Sequence, residues 1–169
     1  MATKTYEIRV DAPIDRVWKF HTDEHAAKML APPDRQVTVL TKLPIVREGA
    51  VQEATFRQFG MRFHFNVQAS RVDKPNGFVL TAIRSPFRKW VHRHEFIPDE
   101  DGTIIRETIE YSVKGGPIGL LANKLFVDEE IDQIFKYRHI TTRAFVEDHT
   151  ARINEEAFEE GKVGSVDLY

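Results

Sequence analysis

Trp90, His92, His94 and Phe96 alternate along one segment of the chain. In a strand, alternation puts all four side chains on one face, and the two bulky aromatics mark that face as the covered one. Two imidazoles then point inward. In the following segment Thr103, Ile105, Glu107, Ile109, Tyr111 and Val113 share a face by the same rule, with Ile104, Arg106, Thr108, Glu110, Ser112 and Lys114 opposite. A hairpin turning through Asp99 to Gly102 sets Glu107 opposite His94 or His92. A carboxylate beside an imidazole orients the ring and favours its protonated form, which suits general acid/base chemistry by His92 or His94 with Glu107. A buried His beside a Glu is more often a satisfied structural pair than a catalytic one. His92-x-His94 with Glu107 also offers three metal donors. The further Glu and His of a cupin-like spacing are absent, so neither a metal nor a cofactor is expected.

Arg138 falls near an apolar stripe containing Ile131, Ile134, Phe135 and Phe145, where a charge needs a reason. Its guanidinium either holds a ligand carboxylate or phenolate, pairs with Glu107 or another internal acid, or reaches past the helix end to water. Tyr111 and Tyr137 combine an apolar ring with a polar tip, suited to orienting a bound molecule or to packing with the hydroxyl at the surface. Met61, Phe63 and Phe65, with Trp90, Phe96 and Ile134, are candidates for the apolar lining of a pocket, or for plain core.

These residues need a scaffold, and the chain supplies its outline. Thr5 to Val10 alternates as a half-buried strand, with Tyr6, Ile8 and Val10 on one face and Glu7 and Arg9 on the other. Pro13 opens a helical stretch in which Ile14, Val17, Trp18 and His21 share one side. A second short helix is predicted from Asp23 to Leu30, stopped by Pro32 and Pro33. From Arg35 to Lys114 period-two segments broken by Gly and Pro predict an antiparallel meander. Met61 to Ala69 is its clearest strand, and Asn76-Gly77 turns into Phe78 to Ile83. After Gly115-Gly116-Pro117 the period changes to about 3.6, predicting a long amphipathic helix through Ile118, Leu121, Leu125 and the stripe already named. A bend near Val127-Asp128 is expected, because an unbroken helix to His149 would span roughly 50 Å. Residues 1–154 are read as one α+β domain and residues 155–169, with their acidic run, as a solvated tail.

Composition narrows the function classes. Of 169 residues, 41% are hydrophobic and 30% charged, as in a folded protein with a substantial core. Twelve Phe, four Tyr and two Trp can fill that core or line a space within it. The formal charge of −2 gives no overall attraction for nucleic acid, and the mixed run from Ser85 to Trp90 is read as a solvated loop, so no nucleic-acid partner is expected. The absence of cysteine excludes disulfides, thiolate catalysis and thiolate metal sites. No window approaches the roughly 18 apolar residues of a spanning helix, and the opening MATKTYEIRV lacks the apolar run of a signal peptide. A cytoplasmic protein without integral membrane association is expected.

The order of strand, two short helices, meander and long terminal helix resembles the START-like (SRPBCC) superfamily, the helix-grip fold of birch-pollen-allergen-type proteins and polyketide cyclases. The local carriers are Ala12-Pro13-Ile14-Asp15-Arg16-Val17-Trp18, the alternation from Trp90 to Phe96, Gly102-Thr103, Tyr111, Gly116-Pro117-Ile118-Gly119 and Ile134-Phe135-Lys136-Tyr137-Arg138. The glycine-rich loop of the plant allergen branch has no counterpart. The resemblance implies a curved sheet of about seven strands wrapped around the C-terminal helix, with a cavity between them for a lipid, polyketide, quinone or sterol-like molecule. It implies a binder first, and as alternatives a cyclase or dehydratase using His92 or His94 with Glu107, or a cochaperone-like interaction module.

Overall fold

Half-buried and exposed residues alternate without interruption along Ala2–Val10, the first strand, β1, and the run ends on fully buried Val10. The computed structural model describes residues 1–23, 25–41, 47–58, 61–114 and 117–147, with the backbone alone at 35, 58 and 117–125. Pro13 caps helix α1 (Ile14–Thr22), one position ahead of its expected place, and its carbonyl accepts from the amides of Arg16 and Val17. Val17, Trp18 and His21 form the buried side of α1, as their helical spacing requires. Helix α2 (Ala26–Met29) is a single turn inside the predicted stretch, and a short 3-10 turn follows at Pro33–Arg35.

The meander comprises β2 (Thr38–Val39), β3 (Val51–Gln58), β4 (Met61–Asp73), β5 (Gly77–Arg84), β6 (Phe87–Asp99) and β7 (Gly102–Val113). All strands pair antiparallel in one seven-stranded sheet of order β1-β7-β6-β5-β4-β3-β2. The first strand thus lies beside the last, in register from Ala2 opposite Tyr111 to Val10 opposite Thr103. The β6–β7 hairpin is tighter than the expected loop: Asp99 pairs with Gly102, leaving only Glu100 and Asp101 to turn, with Glu100 at φ 52°. That turn sets His94 directly opposite Glu107.

Helix α3 (Pro117–Val146) runs as one element through Val127-Asp128, the point of the expected bend. Its 30 residues span about 45 Å at the helical rise. Among the described side chains of α3, Ile131, Phe135, Thr142 and Val146 are buried, which shifts the inner face from the predicted stripe. Phe145 lies outside that face, half exposed, and stacks on Phe20 at 5.4 Å between ring centroids. The side chains of Ile118, Leu121 and Leu125, Gly115-Gly116 and the predicted tail 155–169 lie outside the described residues.

The core falls into two apolar clusters. One joins Val10, Val17, Trp18, Phe78, Phe96, Ile105 and Val146, and the other joins Ile109, Tyr111, Ile131 and Phe135. On β7 the residue between Ile105 and Ile109 on the inner face is Glu107. A carboxylate therefore sits at the seam between the two halves of the core.

Candidate functional site

Glu107 is 1% exposed, and an isolated carboxylate at that depth would be prohibitively costly. Its neighbours compensate. Arg138, reaching in from α3, donates from Nη2 to Glu107 Oε1 at 2.9 Å. His92 Nε2 lies 3.2 Å and His94 Nδ1 3.3 Å from the same oxygen, and His139 Nε2 lies 3.3 Å from Oε2. The three imidazole contacts fall within ion-pair distance but outside hydrogen-bond alignment. Crowding accounts for this at His92 and His94: a carboxylate oxygen has two lone pairs, and three donors, with Arg138, converge on Oε1.

Burial alone would raise the pKa of Glu107. The Arg138 charge and the contacts from His139, His92 and His94 outweigh it and hold the carboxyl well below the usual carboxylate range. For His21, His92 and His94 burial itself is the chief cause of a downward shift. Burial lowers the pKa of His92 and, with the adjacent His92, pushes His94 well below its ordinary value. His21, on α1, is pushed down to about 4, chiefly by burial. His21 Nδ1 contacts the Val17 carbonyl at 2.9 Å, and its ring packs 5.8 Å from that of His94. The site thus holds an ionised Glu107 beside neutral imidazoles. It is a place to orient and to accept protons.

Beside this cluster lies a cavity of about 470 Å³. It exists because α3 packs over Ile109 and Tyr111, leaving the inner faces of β3 to β6 to look across open space toward α2 and the middle of α3. Phe63, Phe65 and Trp90 line it from the sheet, and Phe126, Ile134 and Phe135 from the helix. His21, His92, His94 and Arg138 also line it, so the polar cluster forms one part of an otherwise apolar wall. Phe65 and Trp90 meet edge to face at 5.4 Å, and Phe78 stacks on His94 at 4.2 Å, which fixes the sheet side. Phe126, nearly half exposed, stands where the cavity meets solvent.

Of the residues expected to act chemically, His92, His94 and Glu107 come together as the hairpin requires, and Arg138 turns inward to Glu107. Among the expected lining residues, Phe63, Phe65, Trp90, Ile134 and Arg138 border the cavity. Four others do not. Met61 is 56% exposed at the start of β4, and Phe96 is enclosed in the Trp18 cluster. Tyr111 is buried under α3, where its hydroxyl donates to the Asp128 carboxylate, and Tyr137 is half-buried away from the cavity wall. His139 and His21 were not singled out for this site by sequence reasoning. His21 sits on the predicted inner side of its helix, and His139 follows Phe135 by one helical turn, so spacing carried both signals.

His92, His94 and Glu107 place one donor atom each within 4.8 Å of one another, a spacing that a metal ion can use. The Arg138 guanidinium already occupies Oε1 and supplies the positive charge, which disfavours a second cation there.

Residues 1–137 match the family described as polyketide cyclase / dehydrase and lipid transport. No curated protein matches the chain. Among solved structures, protein CV1439 from Chromobacterium violaceum is similar at 19% identity and a TM-score of 0.68, covering 86% of this chain and 96% of that one. TTHA0849 from Thermus thermophilus is similar at 19% identity and a TM-score of 0.63, covering 85% and 98%. Norcoclaurine synthase from Thalictrum flavum, solved with dopamine and hydroxybenzaldehyde, is similar at 16% identity and a TM-score of 0.65, covering 88% and 87%. At these identities the likeness establishes the helix-grip fold.

Proposed function

From the premise that this chain belongs to the polyketide cyclase/dehydrase and lipid transport family of the START-like superfamily, we propose that it binds a hydrophobic small molecule between its sheet and its terminal helix. The reading rests on the cavity of about 470 Å³ and its wall of Phe, Trp, Ile and Val side chains. That volume lies in the range of small-molecule pockets, and an aromatic lining with few polar groups favours apolar ligands. A lipid, a polyketide, a quinone or a sterol-like molecule fits this chemistry. Native mass spectrometry of gently purified protein, followed by titration with a fluorescent lipid, tests it. A co-purifying mass or saturable binding is expected. Protein that stays empty and takes up no apolar probe overturns the reading.

The two imidazoles in the cavity wall favour a second reading, a cyclase or dehydratase. A neutral imidazole can remove a proton from a bound substrate, and His92 and His94 are the candidates. Glu107, held ionised, would orient the rings and balance the imidazolium that forms. His94→Ala is then expected to abolish turnover of a polyketide substrate with the fold intact. Unchanged turnover excludes His94 as the base.

A further inference from the structure

His21, His92 and His94 all border the cavity, and each has one ring nitrogen turned toward an acceptor within the protein. For His21 that acceptor is the Val17 carbonyl, at 2.9 Å from Nδ1. A carbonyl oxygen only accepts, so Nδ1 carries the proton and Nε2 keeps its lone pair. For His92 and His94 the acceptor is Glu107 Oε1, at 3.2 Å from Nε2 and 3.3 Å from Nδ1 respectively. Even out of line, a lone pair facing an anionic oxygen at that distance is repulsive and an N–H is attractive, so the protons sit on those two nitrogens. Burial keeps all three rings in their neutral form. The nitrogens left over, Nε2 of His21, Nδ1 of His92 and Nε2 of His94, are therefore acceptors.

Arg138 Nη2 is engaged by Glu107, and its Nε is sealed within the protein, so Nε is not offered to a ligand. A ligand group matching the three imidazole acceptors must donate a hydrogen bond. A carboxylate only accepts, and the Arg138 charge that would attract it is already balanced by Glu107. A ketone or an ether also only accepts. A hydroxyl donates, and it does so without bringing a charge into the apolar wall.

We infer that the polar part of this cavity selects a neutral hydroxyl, so that the molecule bound is an apolar alcohol or phenol in preference to a carboxylic acid, a ketone or an ether. The inference rests on the cavity reading above and adds the chemistry of the head group. His21, His92 and His94 are the specificity-determining residues, with Glu107 acting through the last two as a positioning residue.

Calorimetric titration near neutral pH with 2-naphthol, 2-methoxynaphthalene and 2-naphthoate tests it on the unaltered protein. The hydroxyl compound is expected to bind about ten-fold more tightly than its methyl ether, the equivalent of one good hydrogen bond, with the carboxylate weakest. The matched series 1-decanol, its methyl ether and decanoate separates a ring from a chain, and the same order in either series supports the inference. If the ether or the carboxylate binds as tightly as the hydroxyl compound in both series, the inference falls while the cavity reading stands. If no member of either series binds, both fall. Nitrogen NMR of labelled imidazoles gives a readout independent of any ligand: Nδ1–H tautomers are expected for His21 and His94 and an Nε2–H tautomer for His92. A doubly protonated ring, or the opposite tautomer at His92, overturns the inference.

Discussion

Arg138 Nη2 lies 2.9 Å from Glu107 Oε1, and this contact lets a carboxylate occupy the seam of the core at 1% exposure. Glu107 is buried and Arg138 largely so, with side-chain exposures of 2% and 15%. Removing one partner strands the other charge away from water. Arg138→Met is therefore expected to destabilise the fold by about 3–5 kcal/mol, measured by urea unfolding. The double replacement of Arg138 by Met and Glu107 by Gln is expected to recover part of that loss, because no unpaired charge remains. A double variant no more stable than the single one would show that the loss came from packing and not from the stranded carboxylate.

Acid lability follows from the buried rings. The folded-state pKa of His21 is lowered to about 4 by burial, against 6.5 for a free imidazole. Between those values the unfolded chain binds a proton that the folded chain does not, so stability is intact above pH 6.5 and is lost as pH falls toward 4. His21 alone accounts for about 3 kcal/mol of this loss, and His92 and His94 act in the same direction. Glu107 adds a further loss at lower pH, since its folded pKa is held well below the ordinary carboxylate value. Thermal unfolding followed from pH 7.5 to pH 4 is expected to show a steady fall in Tm beginning near 6.5, and His21→Phe to make that fall shallower. A Tm constant across this window would mean that the rings protonate freely in the folded state.

Much of this site was legible in the chain because a strand has only two faces. Once Trp90 and Phe96 mark the covered side, His92 and His94 must share it, and a short hairpin brings Glu107 to them. Alternation assigns a face without locating the cavity along it, however. Phe96 and Tyr111 point inward as expected, yet one is enclosed around Trp18 and the other lies beneath α3. Met61 belongs to the right face but stands exposed at a strand end. The helix was harder to read. Its inner positions in the second half include Arg138, His139 and Thr142, so apolarity alone pointed to Phe145, which packs outward on Phe20. The polar seam in the core was paired with a polar stripe on the helix, and neither is visible from hydrophobic periodicity alone.

Backbone geometry next to the site gives a test that leaves the polar residues untouched. Gly77 has φ 147°, and a Cβ built there would lie 2.0 Å from the His94 carbonyl oxygen. The side chain of Ala cannot share that space without moving β5 from β6. Gly77→Ala is expected to cost about 1–3 kcal/mol from the strained backbone, with a further loss from the clash. The displaced His94 is expected to weaken binding of an apolar probe in whatever fraction remains folded. An alanine variant with unaltered stability would mean that the strand pair yields at this point.

The two tryptophans report on different regions. Trp90 borders the cavity beside Phe65, whereas Trp18 is 5% exposed and encased by Phe78 and Phe96 at ring distances of 5.9 and 6.4 Å. A ligand in the cavity touches the first indole and not the second. Binding is therefore expected to shift or quench the intrinsic emission through Trp90, and Trp90→Phe to remove most of that signal while preserving saturable uptake by calorimetry. Trp18→Ala is expected instead to destabilise the fold by about 3–5 kcal/mol, the usual cost of emptying a large aromatic site. A ligand-induced signal that survives in Trp90→Phe would place the bound molecule outside the aromatic wall that β4, β6 and α3 form.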